Sequence, residues 1–245
     1  MGQGQVYFTF PIRIIVGATD DIRVATSNIM DYCGYECAVR LKGTIKEKMK
    51  ESGIHLGLTW GDVERTYYNG EKLSKSIPLH SPMTSINKDI VFDFYKNDKT
   101  EFEAITFLAY AAIRSIIQSK PFVKVTNDYL LTRMAGYSKV SEIHIPNRED
   151  YPGLKDKNNL PPLFKKYSTR YQLDKIKLEL QNHWGMKLYA RHTRGFYVSF
   201  SMKDYSELVF EVEKRRKSNI ERIRKEEQQK AIDKALNKLF RTSAP

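Results

Sequence analysis

Apolar residues recur along this chain at two spacings, and the switches between them mark out its elements. Near the start, GQGQVYFTFPIRII alternates β-branched and aromatic residues with smaller or polar ones, which predicts a strand. Pro11 lacks an amide proton and confines that strand to an edge or a break. From Ile22 to about Leu41 the period becomes helical. Asp20 or Asp21 caps this stretch, and Ile22, Ala25, Ile29, Cys33 and Cys37 supply its apolar stripe, interrupted at modest cost by Gly34. Thr44 opens a shorter helix with Ile45 and Met49 facing inward and Gly53 at its end. Residues 54–58 then turn, and Thr59 with Asp62 caps WGDVERTYYNGEKL. This helix pair reads either as a helix-turn-helix or as two ordinary packed helices, because its charge is mixed and no strand hairpin of basic character follows.

Residues 74–99 begin with serine and proline and mark a domain boundary; within them INKDIVFDFYK fits a strand or a short helix. The clearest helix follows, TEFEAITFLAYAAIRSIIQS. Thr100 caps it, Glu101 and Glu103 sit in its positive first turn, and Phe102, Ile105, Leu108, Ala109, Ala112, Ile113 and Ile116 form a wide apolar face. So apolar a helix predicts the buried first helix of a unit, ended by Pro121. FVKVT predicts a short strand, and Asn127 caps DYLLTRMAGY, with Tyr129, Leu130 and Met134 inward and Gly136 closing it.

Residues 138–167 form an unusually long connection. Ser168 or Thr169 then caps a helix in which Leu173, Ile176 and Leu180 recur at helical spacing, up to Trp184-Gly185. MKLYARHT and GFYVSFSM return to a period of two, joined at Thr193-Arg194-Gly195 as a hairpin. From Lys203 to Arg241 the chain predicts one long helix, apolar at both ends and wholly polar through EKRRKSN; the sustained heptad of a coiled coil is missing.

Charge sharpens this picture. The chain has 245 residues and a net charge of +12, from 41 basic and 29 acidic side chains. Residues 1–99 are almost neutral, with 13 basic against 12 acidic, whereas residues 100–202 carry 16 against 9 and residues 203–245 carry 12 against 8. Eight basic side chains face only Asp174 and Glu179 between residues 165 and 202, so the excess falls on one helix and one hairpin, where a polyanion would dock.

Catalytic signatures are missing. The sequence contains no phosphate-binding GxxxxGK[ST] loop, no GxSxG elbow, no HExxH and no paired-histidine metal motif. His192 and Arg194 near Tyr197 invite comparison with strand-exchange chemistry, but their spacing does not fit it. Cys33 and Cys37 lack the further Cys or His of a zinc site and read as reduced thiols. No run is long and apolar enough for a membrane span, and no secretory leader is read at the N-terminus. The expectation is a non-enzymatic, cytoplasmic protein without cofactor or metal, mostly α with small β-hairpins, an α+β chain.

The order helix 100–119, strand 122–126, helix 127–137, helix 168–184, strand 186–192, basic tip, strand 196–202 resembles winged helix-turn-helix DNA-binding domains. The resemblance covers about 100 residues and departs from the family at residues 138–167, where a tight turn would normally stand. With the N-terminal helix pair counted, the chain resembles plasmid- or phage-type replication initiators, which carry tandem winged-helix domains. The resemblance implies an N-terminal, mostly helical domain (1–80), a winged-helix domain (81–202) and a basic C-terminal helix (203–245). It implies double-stranded DNA as partner. Thr169, Arg170, Gln172 and Lys175 would meet base edges, and Lys165, Lys166, Lys177, Lys187, Arg191, His192 and Arg194 would meet the backbone from helix and wing. The role would be replication initiation or transcriptional regulation of a mobile element. The alternatives are a winged-helix assembly subunit of a nucleoprotein complex, with the C-terminal helix joining two copies, and an RNA-binding protein whose tyrosines stack on bases.

Overall fold

The computed structural model describes residues 6–138, 162–190 and 195–242, with side chains to residue 234. Strand β1 (Tyr7–Pro11) turns Phe8 and Phe10 inward and Tyr7 outward, as its alternation requires. It pairs antiparallel with β2 (Met83–Asn87), Phe8 opposite Ile86 and Phe10 opposite Thr84. Pro11 sits at the last pair of this two-stranded ladder, where its missing donor does least harm. Helix α1 (Ile12–Val16) follows at once and buries Ile12, Ile14 and Ile15.

Helices α2 (Ile22–Arg40), α3 (Ile45–Leu56) and α4 (Trp60–Ser76) pack on one another. The Asp21 carboxylate accepts from the amides of Arg23 and Val24 and starts α2. Thr44 and Glu47 form a reciprocal capping box at the start of α3. Two expectations fail in α3. Ile45 is 60% exposed, and Met49 alone of the two faces inward. Gly53 does not end the helix but lies inside it, so close to α4 that a Cβ would stand 2.3 Å from Val63 Cγ2. The stop is Gly57, whose φ of +65° is the left-handed turn that glycine adopts at little cost. At the crossing of α2 and α4 a Cβ on Gly70 would lie 2.1 Å from the Asp31 carbonyl oxygen.

The ambiguous stretch after residue 80 is both things in turn. Strand β2 runs directly into helix α5 (Lys88–Lys96), whose first turn is capped by the Asn87 side chain accepting from the Asp89 amide. Helix α6 (Glu101–Ile117) opens with a second capping box, Thr100 with Glu103, and nearly every residue from Ala104 to Ile113 is buried. It is the axis of the fold. Phe94 of α5 stacks on its Phe107 at 4.5 Å between ring centres, and Thr84 of β2 donates to its Ala111 carbonyl.

Strand β3 (Val123–Val125) leads into α7 (Asn127–Met134). The cap of α7 is Thr126 rather than Asn127: its hydroxyl accepts from the Tyr129 amide at 3.1 Å, while the Asn127 side chain faces another helix. After α8 (Pro162–Lys166) come α9 (Arg170–His183), β4 (Lys187–Tyr189) and β5 (Phe196–Ser199), both strands shorter than their alternation predicts. The three strands form one antiparallel sheet in the order β3-β5-β4, with Val125 opposite Phe196 and Leu188 opposite Val198. Successive side chains of β5 point to opposite faces. Phe196 and Val198 join the main core beside α6 and α9, whereas Tyr197 joins a second apolar cluster with Phe122, Met202, Tyr189 and, from helix α10 (Tyr205–Thr242), Leu208 and Val212. The sheet is therefore covered by α6 and α9 on one face and by the start of α10 on the other.

The main core is continuous, running from Phe8 to Val198, and the β1–β2 ladder crosses the expected boundary between residues 80 and 81. The described residues are mostly helical, with two small antiparallel sheets among them. Among the described residues no helix is long and apolar enough to cross a membrane.

Candidate nucleic-acid interface

Helix α9 is held by its buried stripe. Leu173, Ile176 and Leu180 are at most 2% exposed and lie against the main core, and Trp184 at its end leans on Tyr110 of α6 at 4.5 Å between ring centres. Thr169 caps it, its hydroxyl accepting from the Gln172 amide at 3.3 Å. The opposite side looks outward: Arg170, Tyr171, Asp174, Lys175, Leu178, Gln181 and Asn182 are exposed.

The base-edge candidates share that outward side unequally. The Arg170 side chain is 92% exposed, with Nε 3.8 Å from Asp174 Oδ2. Lys175 is exposed, its ammonium lying over the Tyr171 ring at 5.3 Å. Gln172 is half-buried, and Thr169 has its oxygen engaged in the cap.

The backbone candidates divide further. Lys165 is exposed. Lys166 points its ammonium at Glu101 Oε1, 2.6 Å away, and the Tyr167 hydroxyl donates to the same oxygen at 2.9 Å, so α8 is clasped to the start of α6. The hydrogen bond from Lys166, then that from Tyr167, holds the Glu101 carboxyl below the ordinary glutamate range, and the same contact pushes Lys166 up. Lys187 donates to the Gly185 carbonyl at 3.1 Å. Lys177 differs most from the expectation. Only 13% of its side chain is exposed; its ammonium lies 2.6 Å from Asp174 Oδ1, donates to Asn127 Oδ1 at 3.3 Å and sits over the Phe196 ring. It braces α9 against α7 and the sheet. Arg191, His192 and Arg194, expected in the wing, lie outside the described residues, as does most of the connection at 138–167.

Two features escaped sequence reasoning. Tyr171 and Leu178, 68% and 56% exposed, place apolar surface on the outward side of α9, one turn apart from Lys175. Spacing alone would have found them, since neither falls on the Leu173–Ile176–Leu180 stripe. The other is a groove of about 510 Å³ between β3 and α10 with Lys120, Lys124, Arg215 and Arg216 on its walls. Lys124 was legible as the outward residue of VKV, but its meeting with Arg215 depends on how α10 lies.

Elsewhere, Cys33 is buried and Cys37 half-buried, both as free thiols, and burial pushes both thiols up, Cys33 strongly. Among the described residues no three His, Cys, Asp or Glu side chains are grouped to hold a metal ion. None of the protein-family models, curated proteins or solved structures compared with the chain matches it.

Proposed function

We propose that the chain is a sequence-specific double-stranded DNA-binding protein without enzymatic activity, and that residues 100–202 form a winged helix-turn-helix unit with α9 as its recognition helix. The observation that carries this reading is a juxtaposition. Helix α9 buries one stripe and turns Arg170 and Lys175 outward, at the head of a helix that feeds the β4–β5 hairpin of a sheet ordered β3-β5-β4. Arg170 and Lys175 enter the major groove with Gln172 at the margin, and Lys165 and the hairpin tip hold phosphates. A cytoplasmic replication initiator or a transcriptional regulator of a plasmid- or phage-type element is the role this activity fits.

Gel-shift selection from a random duplex pool tests it. Binding to the selected site should weaken linearly as log salt rises, with a slope of several phosphates, and Arg170→Ala with Lys175→Ala should cost about 1–3 kcal/mol per lost base contact. Unchanged affinity in that double variant would remove α9 from the interface.

A second reading has its own support. Tyr171 and Leu178 on α9, and Phe210, Ile220 and Ile223 on α10, are exposed apolar residues of the sort that join protein surfaces. In that reading the unit is an assembly module, or α10 pairs two copies. Self-association that persists in high salt, together with salt-insensitive complex formation, would favour it over DNA docking.

A further inference from the structure

The groove between β3 and α10 lies on the face of the sheet that α9 does not use. Tyr197 of β5 points into it, whereas its neighbours Phe196 and Val198 point to the α9 side. The walls of the groove bring cations from three places in the sequence: Lys120 after α6, Lys124 on β3, and Arg215 and Arg216 on α10. All four are exposed. Among the described residues, the one carboxylate within ion-pair distance of these four is Glu213, 3.5 Å from Arg216.

Between the cations lie aromatic rings. Lys124 sits over Tyr197 at 6.0 Å and the Arg215 guanidinium over Phe122 at 5.6 Å. Tyr129 of α7 completes the wall, its hydroxyl accepting a 2.7 Å hydrogen bond from Arg133, which is itself 8% exposed and fixed to Ser138 O and Ser115 Oγ. Asn219 adds an amide at the far end. Cations that track a backbone, interleaved with rings and guanidinium planes on which bases stack, are the chemistry that holds unpaired nucleic acid without reading its sequence.

We propose that this groove binds single-stranded DNA, so that the protein carries a single-strand surface behind the sheet in addition to the duplex surface proposed for α9. Phosphates lie against Lys120, Lys124, Arg215 and Arg216, and bases stack along Tyr129, Tyr197 and the Arg215 plane. The proposal extends the nucleic-acid reading but does not depend on α9.

The test uses the full chain and a fluorescein-labelled oligothymidylate of about 16 nucleotides. Wild type should bind it with an affinity that falls with salt. Lys124→Gln with Arg216→Gln should weaken it about 10-fold and reduce the log–log salt slope by about 1.4, two phosphates' worth for a single strand. In the same protein, Arg170→Ala with Lys175→Ala should lose duplex affinity and keep the oligothymidylate. Acetylation of wild-type lysines needs no variant: bound oligothymidylate should shield Lys120 and Lys124. The proposal is overturned if wild type does not bind the oligothymidylate, if those lysines stay equally reactive, or if the groove variant binds as wild type does. Loss of duplex affinity in the groove variant equal to its loss of oligothymidylate would make the groove a duplex surface, and would overturn the single-strand assignment. Duplex binding untouched by the α9 substitutions would instead defeat the α9 reading and leave the groove standing.

Discussion

Lys177 shows how a cation on the proposed recognition helix can serve the fold. Its ammonium satisfies Asp174 and Asn127 at once, and its stem covers Phe196. Lys177→Ala leaves two polar partners short and should cost about 1–2 kcal/mol in urea unfolding, while Lys177→Met restores the stem and recovers part. The salt slope of DNA binding should hardly change, whereas a phosphate contact would lower it by about 0.9. Glu101 makes a pH prediction with a definite sign. Its folded pKa lies below the ordinary value of 4.5, so the Lys166–Tyr167 clasp contributes stability above that value and loses it as pH falls through the folded pKa. The carboxylate is about half exposed, so the effect is small. Urea midpoints taken from about pH 5 down to about pH 3 should drop more steeply in wild type than in Glu101→Gln; parallel curves would mean the clasp contributes nothing.

The crossing of α2 and α4 tests packing against propensity. Alanine is favoured over glycine in a helix by about 1 kcal/mol, which by itself predicts that Gly70→Ala stabilises α4. The structure reverses the sign. A Cβ at 2.1 Å from the Asp31 carbonyl and 2.6 Å from Tyr35 Cβ forces two backbones apart, and overpacking of this kind costs about 1–3 kcal/mol. A raised melting temperature for Gly70→Ala would show that the helices do not approach so closely. The same lesson applies to Gly53. Read along the chain it is a helix stop, but Val63 occupies the space its missing side chain leaves, and the chain turns four residues later at Gly57. A local signal says that glycine is present; which of its two uses applies depends on the neighbouring helix.

For the molecule as a whole, the ladder between β1 and β2 and the shared core around α6 join the N-terminal helices to the β3–β5 sheet. Thermal unfolding followed at Trp60 in α4 and at Trp184 beside α6 should therefore give coincident transitions. Two separate midpoints would mean that the N-terminal helices form an independent unit. Helix α10 should behave differently beyond Val212. Its residues from Arg222 to Lys234 are all exposed, with surface pairs such as Arg222–Glu226 and Gln229–Asp233 along them. Amides from about Arg222 to Lys234 should exchange far faster than those of α6.

The sequence by itself determined most of the elements: the caps at Thr44 and Thr100, those narrowed to Asp20 or Asp21 and to Ser168 or Thr169, the apolar stripes of α6 and α9, and the alternation of β1 and β5 are local, set by residues within a turn or two of one another. It also located the excess of positive charge in the stretch that holds α9 and the β4–β5 strands, because charge is additive along a chain. Only the tertiary structure decided which cations are free. Lys166 is engaged by Glu101 and Lys177 by Asn127, and Lys124 meets Arg215 across a groove, since those encounters join residues tens of positions apart through the packing of helices on a sheet.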